Sequence, residues 1–175
     1  EDLKLTLWSD ASFASCITTQ RSTTGVHFAI TGPRTNYPLA AMSKRQTCIS
    51  TSSTEAEIVA AFTALKTFVL PALDLWELIF QRKILADFRE DNQAMIQVAR
   101  TGRNPTMKAL NRVHRVNIGW IHERLEDKTY ELTYEDTDKM AADIYTKGFI
   151  DPVKWASLTK LIGVYDINAP RGHNP

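Results

Sequence analysis

The 175-residue sequence has only two cysteines, Cys16 and Cys48, and neither stands in a Cys-x-x-Cys pair or a Cys/His cluster. That excludes a thiolate zinc site. A chain of this size needs no disulfide staple, so two free thiols of an intracellular domain are expected. Charge of one sign is missing too: 21 Lys plus Arg stand against 20 Asp plus Glu, for a net +1. Any nucleic-acid binding must then come from how the charge is distributed. There is no clean apolar run, because Ile58 to Phe80 is interrupted by Lys66, Pro71, Asp74 and Glu77, short of the ~20 apolar residues a membrane span needs. No transmembrane helix is expected. The start, Glu-Asp-Leu-Lys, has neither an initiator Met nor a signal-peptide pattern, and reads as part of a longer protein. What is present, 43% hydrophobic and 23% charged residues, is the balance of one folded domain.

Leu3, Leu5 and Leu7 alternate with polar residues up to Trp8-Ser9-Asp10, the pattern of a strand with one buried face. Val26, Phe28 and Ile30 repeat the alternation between Gly25 and Gly32-Pro33, and Leu39 to Gln46 gives a third strand of an antiparallel meander. The period then changes to 3.6: Ile58, Phe62, Leu65, Val69, Leu73 and Trp76 form the stripe of an amphipathic helix beginning near Thr54. Pro71 predicts a kink or break inside it. Ile84 to Asp91 reads as a fourth strand, followed by a helix from Asn92 to about Arg100 that Gly102, Asn104 and Pro105 end. A longer helix is predicted from about Met107 to Glu126, a fifth strand over Tyr130 to Tyr134, and a helix from Met140 to Lys147 stopped by Gly148. Pro152 to Ile162 predicts a last short helix and Asn168 to Pro175 a frayed tail. The order predicts an α/β architecture: a mixed five-stranded sheet, three antiparallel strands and then βαβ units, flanked by helices. Residues 1–150 form the domain on this reading, and 151–175 a C-terminal extension.

Four acids fall at ends of these elements: Asp10 closes the first strand, Glu57 lies in the first turn of the long helix, Asp91 closes the fourth strand and Asp143 opens the helix after the fifth. Each has an ordinary explanation. Thr54-Glu55-Ala56-Glu57 fits a capping box, Asp91 an N-cap, and Asp10 and Asp143 solvated loop acids.

The flanking residues point elsewhere. Trp8-Ser9-Asp10-Ala11-Ser12-Phe13-Ala14, Ser22-Thr23-Thr24-Gly25, Ser43-Lys44-Arg45-Gln46, Ser52-Ser53-Thr54-Glu55-Ala56-Glu57, Asp91-Asn92-Gln93-Ala94 and Met140-Ala141-Ala142-Asp143-Ile144-Tyr145-Thr146-Lys147 occur in this order. Together they closely resemble the ribonuclease H domain of copia-type LTR retrotransposon polyproteins, over about Leu5 to Phe149. The resemblance implies a ribonuclease H-like fold and an endonuclease cutting the RNA strand of RNA–DNA hybrids. It also implies two Mg²⁺ ions, with Mn²⁺ as a substitute, held by Asp10, Glu57, Asp91 and Asp143. An all-carboxylate cluster suits such a hard, oxygen-seeking cation. The implied partners are the hybrid and the reverse transcriptase portion of the same polyprotein, and the implied setting is intracellular, including virus-like particles. Gln93 matches a position that touches the hybrid from the minor groove, and Ser53 and Thr54 match positions facing substrate; solvation and helix capping explain these residues equally well.

From Arg100 to His122 there is no acid, while Arg100, Arg103, Lys108, Arg112 and Arg115 supply positive charge. On a continuous helix Lys108, Arg112, Arg115, Gly119 and His122 share one face, either solvated or contacting the phosphates of the DNA strand. No histidine stands between Glu123 and Ala142, where many ribonucleases H carry one on a loop before the last acid, so His114 and His122 are read as structural or surface residues. Two other functions compete. A non-catalytic relative of the fold, serving as a structural or nucleic-acid-binding module, would typically lack these acids, and the motifs around them do not resemble a transposase or integrase core.

Overall fold

β1 (Lys4–Ser12) has both faces buried, Leu5 and Leu7 on one and Trp8 on the other, which places it in the interior of a sheet. In the computed structural model, which describes residues 3–165, β1 pairs antiparallel with β2 (Thr23–Gly32) and parallel with β4 (Ala86–Glu90). β3 (Thr35–Arg45) pairs antiparallel with β2, and β5 (Tyr130–Tyr134) parallel with β4, giving the order β3-β2-β1-β4-β5. The mixed five-stranded sheet is the one the pattern predicts. β3 starts at Thr35 rather than Leu39, because Thr35 to Pro38 pairs with Ala29 to Gly32 in spite of showing no apolar alternation. A register shift at Phe28/Ala29 leaves Leu39 as the extra residue beside Pro38, and an edge strand tolerates that proline.

One face of the sheet is covered by α1 (Ser53–Ala64), α3 (Gln93–Thr101) and α5 (Ile118–Glu126), whose apolar residues cluster with Leu5, Leu7, Phe28 and Phe88. The predicted break at Pro71 does not occur. The chain instead widens into a π-helical stretch, Leu65–Val69, and runs on as α2 (Leu70–Phe80). Pro71 has no N–H for the carbonyl four residues back, and the wider turn just upstream, where Leu70 N–H reaches Leu65 O, absorbs the mismatch. The continuous helix Ser53–Phe80, which contains an 18-residue window of mean hydropathy 1.7, is therefore long and apolar enough to cross a membrane by length and composition. The anticipated interruptions do not break it. Much of its apolarity is core packing, since Ile58, Ala61, Leu65, Val69 and Leu73 lie buried in the cluster beneath the sheet.

The predicted helix over 107–126 is corrected to three pieces: a 3₁₀ turn Pro105–Met107, α4 (Leu110–His114) and α5. Arg115 takes a left-handed conformation (φ 56°), Val116 turns into the core, and Asn117 caps α5 by accepting from Trp120 N at 3.3 Å. Burying Val116 and satisfying a fresh helix start outweigh the continuity that periodicity suggested.

On the opposite face, the 3₁₀ turn Ala141–Tyr145 stands in place of the predicted helix from Met140 to Lys147, with Thr146 as its cap rather than Gly148. Ala141, Ala142 and Met140 pack with Trp8 and Ala29. α6 (Pro152–Leu161) lies against this turn and buries Leu158, with Asn36 Nδ2 donating to Leu161 O at 3.0 Å. The tail from Asn168 lies outside the described residues.

Candidate active site

Asp10 stands near the end of β1, opposite Gly25 of β2, and Asp91 follows the last residue of β4. Because β1 and β4 are parallel neighbours, both acids lie at the same end of the sheet. Asp91 is not a helix cap; Asn92 caps α3 through Met95 N at 3.0 Å, while Asp91 accepts from Thr137 Oγ1 at 2.9 Å. Glu57 lies in the second turn of α1 and does not cap it. Ser52 does, its Oγ accepting from Glu55 N at 3.1 Å, and Glu55 returns a carboxylate oxygen to Thr51 N at 3.0 Å. The start of α1 is tied to the sheet by Gln46, whose buried amide donates to Thr24 Oγ1 at 3.1 Å and Ala56 O at 2.9 Å.

Asp143 reaches this end from the opposite face. Its turn sits tightly on β2, because Gly25 has no side chain: a Cβ there would meet Thr146 Cγ2 at 2.5 Å and Ala142 O at 2.8 Å. Tyr145 fastens it further, with its hydroxyl 3.2 Å from His27 Nδ1 and its carbonyl accepting from Ser43 Oγ at 2.6 Å.

The carboxylates are buried and feel one another. Asp10 is 3% exposed, Glu57 6% and Asp143 1%. Burial raises the pKa of all three above the ordinary carboxylate range, and repulsion adds to it: Asp91 on Asp10, Glu90 and Asp10 on Glu57, Asp10 on Asp143. Glu90, which the sequence reading did not single out, is a fifth acid. It is fully buried on the α1 side of β4, accepts from Asn92 N at 3.1 Å, and is raised chiefly by burial. Two further residues of the last motif enter the site. Thr146 Oγ1 donates to Asp10 Oδ2, and Lys147 Nζ lies 2.6 Å from Asp143 Oδ1 and 3.7 Å from Asp10 Oδ1. Burial pulls the Lys147 ammonium down, but its hydrogen bond to Asp143 and the charge of Asp10 outweigh this and leave it raised. The spacing Asp143-x-x-x-Lys147 is the sequence signal for that pair. The charge of Glu90 was legible, but its inward orientation was not.

Among the described residues, no group of three or more His, Cys, Asp or Glu side chains is arranged to hold a metal ion. The donors nevertheless fit a hard divalent cation. They are all carboxylates, and two of their buried oxygens, Glu57 Oε2 and Asp143 Oδ2, have no hydrogen-bond partner, an arrangement that costs about 1–3 kcal/mol per group unless something satisfies it.

The other expected contacts are dispersed. Ser53 and Gln93 are exposed at the starts of α1 and α3, and Thr54 is half-buried. Arg103, Lys108, Arg112 and Arg115 are all exposed, but the break at Arg115 removes the single helical face expected to join them. His122 turns inward, Nδ1 3.1 Å from Ala99 O and its ring over Gly102, while His114 Nε2 lies 3.1 Å from Glu55 Oε1. Arg115 instead joins Lys44, Arg45 and Lys66 around a groove of about 260 Å³ floored by Val59 and bordered by Thr24. Cys16 and Cys48 are both free.

A likeness to the solution structure of the PFV RNase H domain, with TM-score 0.52 at 15% identity over 92% of this chain and 93% of that one, gives the class: the chain has a ribonuclease H fold. LC11-RNase H1, isolated from compost, aligns with TM-score 0.49 at 15% identity over 82% of this chain and 92% of that one. In sequence, the chain is similar to the retrovirus-related Pol polyprotein from transposon TNT 1-94 of Nicotiana tabacum, 27% identical over 158 residues. The match takes in 90% of this chain and 11% of that polyprotein. The chain thus has a ribonuclease H fold and is similar in sequence to part of a retrotransposon Pol polyprotein, consistent with the copia-type resemblance. Comparison with protein-family profiles finds no match.

Proposed function

We propose that the domain is a ribonuclease H that hydrolyses the RNA strand of RNA–DNA hybrids, in concert with the reverse transcriptase portion of its polyprotein inside the cell. What supports this reading is that Asp10, Glu57, Asp91 and Asp143, drawn from separate elements, lie near enough at one end of the sheet for their charges to repel one another. These carboxylates would hold two Mg²⁺ ions, or Mn²⁺ in their place. Such ions, when bound, make an attacking water more acidic and stabilise the leaving oxygen. Thr146 fixes the Asp10 carboxylate by its hydrogen bond, and the close seat of the turn on Gly25 brings Asp143 to it. Gln93, Ser53 and Thr54 would face the hybrid, where short polar side chains can sense a 2′-hydroxyl. The groove ringed by Lys44, Arg45, Lys66 and Arg115 would take phosphates of the DNA strand, with Arg103, Lys108 and Arg112 extending the basic surface.

The test is direct. Purified protein should cut the RNA of a labelled hybrid with Mg²⁺ or Mn²⁺, stop under chelation, and leave duplex DNA intact. Intact hybrid across a full range of metal and salt would favour a non-catalytic nucleic-acid-binding module.

A further inference from the structure

Asp10 and Asp143 are joined by a tethered cation. Each gives its Oδ1 to Lys147 Nζ, at 3.7 and 2.6 Å, and Asp10 Oδ2 already accepts from Thr146 Oγ1. A divalent ion bridging the two carboxylates needs an oxygen from each. Asp143 has one uncommitted, the buried Oδ2, whereas the oxygens of Asp10 face the Thr146 hydroxyl and, at 3.7 Å, the ammonium. The ammonium is the weaker of the two competitors, because it carries a single charge and has a way out: the Lys147 side chain is 38% exposed, and nothing lies within 4 Å of where a Cβ on the next residue, Gly148, would stand.

We propose that Lys147 is a displaceable internal cation, which neutralises Asp10 and Asp143 in the metal-free protein and must swing toward solvent when a divalent ion bridges them. On this account Lys147 weakens metal binding while it steadies the empty site. The inference rests on the metal-site reading given above, and it explains why the acids stand near one another without forming a closed ligand set. A salt bridge that only fastens the last turn to β1 would leave metal affinity unchanged.

The discriminating experiment titrates the whole chain with MnCl₂ by calorimetry, comparing the native protein with Lys147→Met, which keeps the length and bulk of the side chain. The variant should bind Mn²⁺ on the order of tenfold tighter, with a lower melting temperature without metal that Mn²⁺ restores. In the native protein, the rate of reductive methylation at Lys147, read by mass spectrometry, should rise when Mn²⁺ is added. Equal or weaker binding by a folded Lys147→Met, or a methylation rate at Lys147 indifferent to Mn²⁺ that does bind, overturns the inference and leaves the metal site standing. Should the variant fail to fold, the methylation measurement decides. No Mn²⁺ uptake by native protein and variant alike overturns the metal-site reading together with the inference.

Discussion

Glu55 and Glu57 lie two residues apart on α1 and meet different surroundings. Glu55 is a structural acid, accepting from Thr51 N and paired with His114; Glu57 points among Asp10, Asp91 and Glu90 with one oxygen unpartnered. Glu57→Gln should therefore lower turnover by several orders of magnitude with the fold retained, since it removes a ligand charge and keeps the shape. Glu55→Gln should keep most turnover and lose on the order of 1 kcal/mol of stability. Steady-state hybrid cleavage and urea unfolding on both variants check this, and the reverse pattern would put the metal site in another register. The two acids at the end of β4 make a second pair. Glu90 faces the core and is satisfied by Asn92 N, so Glu90→Gln should stay within about tenfold of native turnover, whereas Asp91→Asn should abolish it.

The decisive elements are short. The turn Ala141–Tyr145 presents Asp143 only because β2 offers a glycine where a side chain would collide. Gly25→Ala should push that turn off the sheet, costing roughly 1–3 kcal/mol as overpacking does and lowering turnover far more than hybrid affinity. Unfolding and binding measured together would separate these effects, and an unchanged turnover would mean that the turn finds another route to Asp10. The broken segment between α3 and α5 changes the expected nucleic-acid surface as well. With Arg115 turned to the groove beside Lys44 and Lys66, replacing these three by Ala should flatten the salt dependence of hybrid binding by up to about one phosphate per residue. The pair Arg112 and Lys108, off the groove, should change it less.

Across the whole molecule, two buried titrating systems pull stability in opposite directions with pH. His27 is fully buried beside Trp8 and Tyr145, and burial lowers its pKa from 6.5 to about 4. Its folded value lies below its unfolded one, so its contribution is complete above about pH 6.5 and is lost as pH falls through 4, on the order of 3 kcal/mol. Asp10, Glu57 and Asp143 are raised in the fold, so their contribution is present below the ordinary carboxylate pKa and is lost as pH climbs above it. Comparing native protein with His27→Phe by urea midpoint between pH 4 and 7 cancels the carboxylates and should isolate the histidine. A difference that does not vary with pH would show that His27 does not titrate there.

The sequence by itself determined the sheet and the ends of its elements at which four acids fall. Alternation in β1, β2 and β5 and the 3.6-residue stripe through Ile58 and Leu65 report burial of one face, which is a local property of the chain, and the order of elements leaves few topologies. The acids were legible because each ends or begins an element beside a distinctive motif. Only the tertiary structure decided the π-helical passage before Pro71, the break at Arg115, the inward turn of Glu90 and the placing of Lys147 between Asp10 and Asp143. Each depends on what another element brings to the same place: a core that accepts Val116, a glycine in β2 that admits the last turn, a carboxylate across the sheet for an ammonium. Periodicity within one segment carries no record of its neighbours, so these outcomes follow from packing and charge between segments far apart in the chain.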